Sequence, residues 1–308
     1  MYHYVRRFNS QFPYSKHKDI DDFYYEIKSL KSIGYKFMNV SEAINLIING
    51  GDTEKILLLT FDDGLIDHFK AAQILKELNI SKGTFYIPCK PYFDNKILHV
   101  HKAHLIISSQ GEKSLKLLYQ ACDSLNISLN KHKNFNIEKE SFKDAYHRHK
   151  DNNNINEFKR LINYYGSIGL RDSLLDEILD KLGIVLHRKN VYLDLNQIEK
   201  ISKMGFEIGS HGVSHTLLSR LSKNEQRKEL HESKTFLENC IGKSIKSFCY
   251  PYGGKKSYNK TTLKLLKDLN YLNAISVEKL DIEKEKIENN TYEIPRYDCN
   301  QINDLFFN

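Results

Sequence analysis

Six short apolar runs constrain the fold of this chain more than any other feature. They occupy residues 55–60, 83–87, 206–209, 247–250, 273–277 and 292–294, and polar or turn-forming residues bound each of them. Because these runs are apolar throughout rather than alternating, they are typical of strands that are buried on both faces, as in a parallel sheet.

Segments with helical periodicity separate these runs. They cover residues 19–33, a segment that Ser41 would cap, residues 68–78, residues 222–240 and residues 261–269. The fourth of them opens with Ser222 and Glu225, which have the spacing of a capping box. The alternation of strand and helix predicts an α/β fold with a parallel sheet, either a barrel or an open sheet.

The middle of the chain breaks this alternation. Residues 94–189 are polar, rich in Asn and Lys, free of proline, and have helical rather than strand periodicity. We expect this stretch to form a helical insertion subdomain, and residues 1–93 and 190–308 to form the α/β domain together.

Composition excludes some classes of partner. The net charge of +7 is spread along the 308 residues, which favours a soluble protein over a nucleic-acid-binding one and suits an anionic substrate only weakly. Five cysteines without a CxxC pattern indicate reduced thiols. No apolar run reaches the length of a transmembrane segment, and the first residues lack a signal-peptide core, so we expect a cytoplasmic protein if Met1 is the native start.

Two short strings carry the chemistry. Residues 60–64 (TFDDG) and 210–215 (SHGVSH) each follow a predicted strand, so both should reach the carboxyl edge of one sheet. They supply two carboxylates, Asp62 and Asp63, and two imidazoles, His211 and His215. This is a ligand set for a divalent metal, with zinc first and nickel, cobalt or iron sharing the preference for imidazole.

Each string also has an ordinary structural interpretation. An Asp-Asp-Gly sequence is common at turns and helix starts, and two histidines four residues apart are often surface residues. The occurrence of both strings after strands favours the metal site. One of the adjacent aspartates would then bind the metal while its neighbour faces the substrate.

These strings resemble the first two motifs of the polysaccharide deacetylase family, the NodB-homology carbohydrate esterases. Residues 250–253 (YPYG) resemble its third motif, residues 2–5 (YHYV) its opening strand and residues 293–296 (EIPR) a late strand. The resemblance implies a distorted (β/α) barrel with fewer than eight units. It also implies that Asp63, His211 and His215 bind the metal and that Asp62 is the catalytic base. Tyr250, Pro251 and Tyr252 would line the substrate groove, with the Tyr252 backbone N–H contacting the oxyanion. The alternative for this string is a Pro-Gly turn with two packed tyrosines.

The chain departs from the family pattern at two places. Many members have an arginine where this chain has Cys249, and there it orients the catalytic aspartate. Arg296, at the end of a late strand, could orient the aspartate instead, with Asp298 assisting. The alternative interpretation of Arg296 is a surface arginine that pairs with a carboxylate.

The second departure concerns the catalytic acid. The family usually ends with a Leu-x-His motif that protonates the leaving amine, and this chain has no histidine after His231. We expect His101, with His104 as second choice, to replace it from the start of the insertion, and we also expect His104 to contact the substrate. The alternative is a polar helix start at which these histidines cap or pack. For His3, in the opening strand, we favour a structural role.

We therefore expect a metal-dependent hydrolase that removes an acetyl group from an N-acetylated sugar or glycan precursor, in the biosynthesis of cell-surface glycans. One alternative is a carbohydrate-binding protein that retains the metal but not the activity. Another is a hydrolase of a different amide or ester.

Overall fold

Most strands of the described residues belong to one parallel sheet. The computed structural model describes residues 1–127, 151–165 and 168–302. Within these residues the strands are β1 (Lys36–Met38), β2 (Ile56–Leu58), β3 (Thr60–Phe61), β4 (Thr84–Ile87), β5 (Glu207–Ser210), β6 (Ser247–Cys249) and β7 (Asn273–Ile275). β1 pairs with β2, and the other five form one sheet in the order β3-β4-β5-β6-β7 with every pair parallel.

Single parallel bridges extend both edges of the five-stranded sheet. Tyr2 pairs with Phe61 at the β3 edge, and Ile294 pairs with Ile275 at the β7 edge. The opening and late strands expected from the sequence therefore occupy these two edges, although each contributes only one bridge. The sheet curls into a half-barrel surrounded by helices, as the predicted distorted (β/α) barrel requires.

The described helices are α1 (Ile20–Ser32), α2 (Val40–Ile48), α3 (Asp67–Glu77), α4 (Lys90–Phe93), α5 (His99–Gln110), α6 (Ser114–Ser124), α7 (Asn153–Arg160), α8 (Ile168–Lys181), α9 (Leu195–Lys203), α10 (Lys223–Ile241), α11 (Lys260–Asp268) and α12 (Lys284–Asn289). The four helices whose bounds were predicted, α1, α3, α10 and α11, begin and end within a residue or two of the predicted positions. Ser222 and Glu225 form the predicted capping box of α10. Among the described residues, no helix is long and apolar enough to cross a membrane.

The predicted cap of α2 was wrong. Asn39, not Ser41, is the N-cap, and its side chain forms a capping box with Glu42. Ser41 instead uses its backbone N–H and its hydroxyl to donate to the Glu207 carboxylate on β5. Both residues are good caps by type, so the choice depends on this contact from a distant strand.

Both faces of the sheet are buried. One face contributes a residue from each strand to the main apolar core, and these residues are Phe61, Phe85, Ile208, Phe248 and Ala274. The other face contributes Tyr86, Cys249 and Ile275 to a second cluster, in which they pack with α2 and α12. Burial on both sides explains why the strands are apolar throughout.

Contacts within the chain divide it into two compact units. The first comprises residues 1–7, 17–96 and 188–308, and contains the sheet with α1–α4 and α9–α12. The second comprises residues 8–16 and 97–187, and its described elements are helical. The predicted insertion 94–189 stays a prediction, and its residues 128–150 lie outside the described residues.

Candidate metal and hydrolytic site

Asp63, His211 and His215 converge at the carboxyl edge of the sheet. The Asp63 Oδ1 atom lies 3.4 Å from His211 Nε2 and 3.3 Å from His215 Nε2. One ligand atom of each of the three residues falls within 4.8 Å of the others, and all three side chains are buried. The structure thus brings together the three side chains that the sequence singled out as metal ligands.

Strand order and local backbone conformation produce this convergence. β3 precedes the Asp62–Asp63 pair and β5 precedes His211, and β4 lies between these two strands. Asp63 has φ of +80° and Gly64 has φ of +59°, so the chain turns sharply away directly after the aspartates. His215 also has a left-handed φ of +52°. Such conformations in non-glycine residues cluster at functional sites.

The hydrogen bond of His211 determines which nitrogen faces Asp63. His211 Nδ1 lies 2.7 Å from the carbonyl oxygen of Cys249, and because a carbonyl can only accept, Nδ1 must carry the proton. In the neutral imidazole the lone pair on Nε2 then points towards Asp63. Metal-binding histidines are typically oriented by such a hydrogen bond from the second ring nitrogen.

The local electrostatics favour a cation at this point. Burial lowers the pKa of His211, but the Cys249 side chain and the Asp63 carboxylate outweigh burial and raise that pKa well above its ordinary value. Two imidazole nitrogens and one carboxylate oxygen are also a donor set that zinc prefers. Ligands of a tetrahedral zinc lie about 3.3–3.5 Å apart, which matches both separations from Asp63 Oδ1. The residues present therefore fit a divalent metal.

Asp62 is held by a paired arginine. Arg296 donates from its two terminal nitrogens to Asp62 Oδ1 at 2.8 Å and to Oδ2 at 2.5 Å. Burial raises the pKa of Asp62, but Arg296 outweighs burial and holds that pKa well below the ordinary value of an aspartate. Asp62 is therefore a carboxylate at neutral pH, with its orientation fixed by a bidentate contact.

Arg296 is itself fixed by the surrounding strands. Its Nε donates to the Ser276 carbonyl at 3.0 Å, and one terminal nitrogen donates to the Thr60 hydroxyl at 3.1 Å. Its second terminal nitrogen lies 2.9 Å from the sulfur of Cys249. The arginine side chain is only 9% exposed, so it is not the surface arginine of the alternative interpretation. Asp298, proposed to assist, instead caps a short 3-10 helix at Cys299–Gln301.

His3 is the residue at this site that the sequence interpretation undervalued. Its Nε2 lies 4.0 Å from Oδ2 of both Asp62 and Asp63, and its side chain is 36% exposed. The backbone carbonyl of His3 accepts a hydrogen bond of 2.8 Å from the buried His68. His3 therefore offers an accessible imidazole beside both carboxylates. The usable signal was the opening strand, because pairing Tyr2 with Phe61 sets His3 level with Asp62.

The third string needs a correction. Tyr250 is buried, donates its hydroxyl to the Tyr292 carbonyl and stacks on Tyr258, so its ring belongs to the core and not to a groove wall. Pro251 is buried as well. Only Tyr252 is partly exposed, and its ring centroid lies 5.1 Å from that of His215. Because Tyr252 and Gly253 both have left-handed φ values, this segment makes a tight turn beside the ligands.

His101 and His104 lie in the second unit. Both are on α5, where His101 is buried and His104 is half-buried, and their ring centroids are 6.0 Å apart. Their assignment as catalytic acid or substrate-binding residue stays a prediction.

One family model matches part of the chain. The family model described as polysaccharide deacetylase matches residues 183–274, which include the histidine string and the third string. No curated protein matches the chain significantly.

Three solved structures share the fold at low sequence identity. The Streptococcus pyogenes deacetylase PplD is 18% identical, with a TM-score of 0.59 over 96% of this chain and 88% of PplD. IcaB from Ammonifex degensii is 13% identical, with a TM-score of 0.56 over 99% of this chain and 92% of IcaB. A polysaccharide deacetylase from Bacillus cereus is 15% identical, with a TM-score of 0.55 over 96% of this chain and 62% of that protein. The chain therefore shares the fold of these deacetylases, and its residues 183–274 are similar to the polysaccharide deacetylase family model.

Proposed function

We propose that this protein is a metal-dependent hydrolase that removes the acetyl group from an N-acetylated sugar. The strongest support is the joint geometry of two carboxylates: Asp63 converges with His211 and His215, while both oxygens of Asp62 accept hydrogen bonds from Arg296. A pure metal-binding site would need only the first of these carboxylates.

The contacts of each side chain indicate its role in the proposed reaction. Asp63, His211 and His215 would hold a divalent metal, preferably zinc, which when bound polarises a carbonyl and lowers the pKa of a coordinated water. Asp62 is ionised and oriented, so it can accept the proton that the attacking water loses. A C–O bond to the acetyl carbon forms and the C–N bond breaks, which yields acetate and the free amine of the sugar.

The leaving amine needs a proton donor, and we assign this role to His3. Its imidazole is partly exposed, and its Nε2 lies 4.0 Å from a carboxylate oxygen of both Asp62 and Asp63. His101, the donor expected from the sequence, is the competing assignment. The partly exposed Tyr252 ring beside His215 would contact the sugar.

The substrate class is proposed from the family resemblance. Polysaccharide deacetylases act on N-acetylated glycans, and a glycan precursor for the cell surface is the substrate we propose here. Nickel, cobalt and iron share the preference of zinc for imidazole, so the metal is to be determined by activity with each ion.

The test is release of free amine from chitooligosaccharides and from UDP-GlcNAc, by the purified protein loaded with each metal in turn. We expect wild-type activity to disappear with chelator and to return with metal. Asp62→Asn should abolish turnover and keep metal binding, whereas Asp268→Asn, an exposed carboxylate on α11, should change neither. Near wild-type turnover of Asp62→Asn would exclude Asp62 as the base.

The same assay separates the two candidate acids. His3→Gln should lower kcat by about 100-fold or more, the usual contribution of general acid catalysis, while His101→Gln leaves kcat within about two-fold of wild type. The reverse pattern would reinstate His101. Metal binding without turnover on any N-acetylated or O-acetylated sugar would favour the non-catalytic alternative.

A further inference from the structure

We propose that Glu229 is a positioning residue that sets the metal affinity of the site by holding the loop that follows His211 and ends with His215. This loop comprises residues 212–215, and we call it the ligand loop. The inference rests on the proposed metal-binding role of His211 and His215 and assigns a new residue to it.

Glu229 lies on α10 and accepts three hydrogen bonds from the ligand loop. Its Oε2 accepts from the backbone N–H groups of Val213 at 2.8 Å and Ser214 at 2.9 Å. Its Oε1 accepts from the Ser214 hydroxyl at 2.6 Å. One carboxylate thus satisfies two consecutive backbone donors and one side-chain donor in the four-residue segment that follows His211.

Residues at the start of α4 donate hydrogen bonds to two carbonyl groups of the ligand loop. The carbonyl of Gly212 accepts from the Cys89 N–H at 3.1 Å, and that of Val213 accepts from the Lys90 N–H at 2.9 Å. Residues 89 and 90 therefore hold the carbonyls of Gly212 and Val213. The N–H of Gly212 donates to the Ser210 hydroxyl, and Glu229 holds the next two N–H groups, those of Val213 and Ser214.

The conformation of the ligand loop depends on these hydrogen bonds. Gly212 has φ of +74°, and a Cβ at this position would lie 3.2 Å from Glu229 Oε2, so the glycine permits the close approach of the carboxylate. His215 closes the loop with a left-handed φ of +52°, which costs free energy in a residue other than glycine. We infer that the hydrogen bonds to Glu229 offset this cost and keep His215 directed at Asp63.

Removal of the carboxylate should therefore weaken metal binding before it affects the fold. Partners that orient metal ligands typically contribute 10- to 100-fold to metal affinity. We expect Glu229→Ala to raise the Kd for Zn²⁺ and Co²⁺ by about 10-fold or more. We expect Glu229→Gln to stay within about 3-fold of wild type, since the amide oxygen can still accept the backbone N–H groups.

The experiment is titration of the metal-free full-length protein with Zn²⁺ by calorimetry and with Co²⁺ by its visible absorption spectrum. Glu232→Gln is the matched control. It removes another carboxylate of α10, that of Glu232, which lies about one turn after Glu229 and forms a surface ion pair with Lys228. Thermal unfolding of each metal-free variant reports the fold separately. Loss of affinity in Glu229→Ala, with retention in Glu229→Gln and Glu232→Gln, supports the proposal.

Unchanged metal affinity in Glu229→Ala would overturn it while the proposed function stands. If Glu229→Ala does not fold, Ser214→Ala replaces it in the titration, since this variant removes only the hydroxyl contact: a rise in Kd of about 3-fold supports the proposal and an unchanged Kd overturns it. A wild-type protein that binds neither metal would overturn the proposal together with the metal-dependent function. Metal binding that requires Glu229 in a protein without amine-releasing activity would support this inference and reject only the proposed reaction.

Discussion

At the scale of single residues, Arg296 fixes the orientation of the proposed base. Its planar guanidinium contacts both oxygens of Asp62, the proposed base, and a lysine at this position would offer only a point charge. We expect Arg296→Lys to lower kcat by about 10- to 100-fold, because small misplacements of a catalytic group have effects of this size. KM and metal affinity should change little. Steady-state kinetics on a chitooligosaccharide with metal present measure this.

The control for that prediction is Arg7→Lys, because Arg7 forms an exposed ion pair with Asp21 away from the proposed base. It should leave kcat unchanged. An Arg296→Lys variant as active as wild type would show that Asp62 needs no bidentate partner.

His68 should make the stability of the protein depend on pH. It is fully buried between Phe61 and Phe85, and burial lowers its pKa from 6.5 to about 4. Below pH 6.5 the unfolded chain binds a proton that the folded protein does not bind until about pH 4, so stability falls as the pH falls through this range. The expected loss between pH 7 and pH 5 is about 2 kcal/mol.

Urea unfolding of wild type and His68→Gln at both pH values measures this contribution, since the difference between the two proteins removes the effect of the other histidines. The glutamine can still donate to the His3 carbonyl. An equal loss of stability in both proteins would mean that His68 is protonated in the fold.

At the scale of secondary structure elements, periodicity and composition located most strands and helices. The strands were predictable because they are buried on both faces, and Asp62, Asp63, His211 and His215 were predictable because parallel strands end at one edge. The choice of Asn39 over Ser41 as a cap was not predictable, because Glu207 binds Ser41 from 166 residues away. The position of His3 also depends on the pairing of Tyr2 with Phe61, because residues 2–5 indicate a strand but do not specify its partner.

The contact of Glu207 with α2 gives a prediction at this scale. Its carboxylate accepts from the backbone N–H and hydroxyl of Ser41 and from the Thr84 hydroxyl, and thereby fastens the start of α2 to the sheet. Glu207→Ala leaves these buried donors without an acceptor, so we expect the free energy of unfolding to fall by about 2–3 kcal/mol. Urea unfolding measures the loss, and Glu77→Gln, which removes an exposed carboxylate, should lose less than about 0.5 kcal/mol.

At the scale of the whole molecule, the sequence predicted the fold class and a helical region within it. The barrel was accessible to prediction because its strands and helices alternate along residues 17–96 and 188–302. The assignment of residues 8–16 to the helical unit was not, because that assignment rests on contacts between segments about 100 residues apart. Tyr14, for example, donates its backbone N–H to the carbonyl of Ser108.

Metal binding should stabilise the folded molecule as a whole, because its three ligands come from segments about 150 residues apart in the chain and converge only in the folded state. At a free metal concentration of 100 times Kd, the expected gain is about 2.7 kcal/mol. The midpoint of thermal unfolding should therefore fall by several degrees when a chelator removes the metal.

Two variants control this prediction. His215→Gln, which lacks one ligand, should show a much smaller shift, whereas His231→Gln, which changes an exposed histidine on α10, should behave as wild type. If the chelator lowers the midpoint of His215→Gln as much as that of wild type, the stabilising metal binds elsewhere, and the ligand set assigned to Asp63, His211 and His215 must be abandoned. If only wild type and His231→Gln respond, the metal that stabilises the fold binds at Asp63, His211 and His215, which is also the proposed site of the reaction.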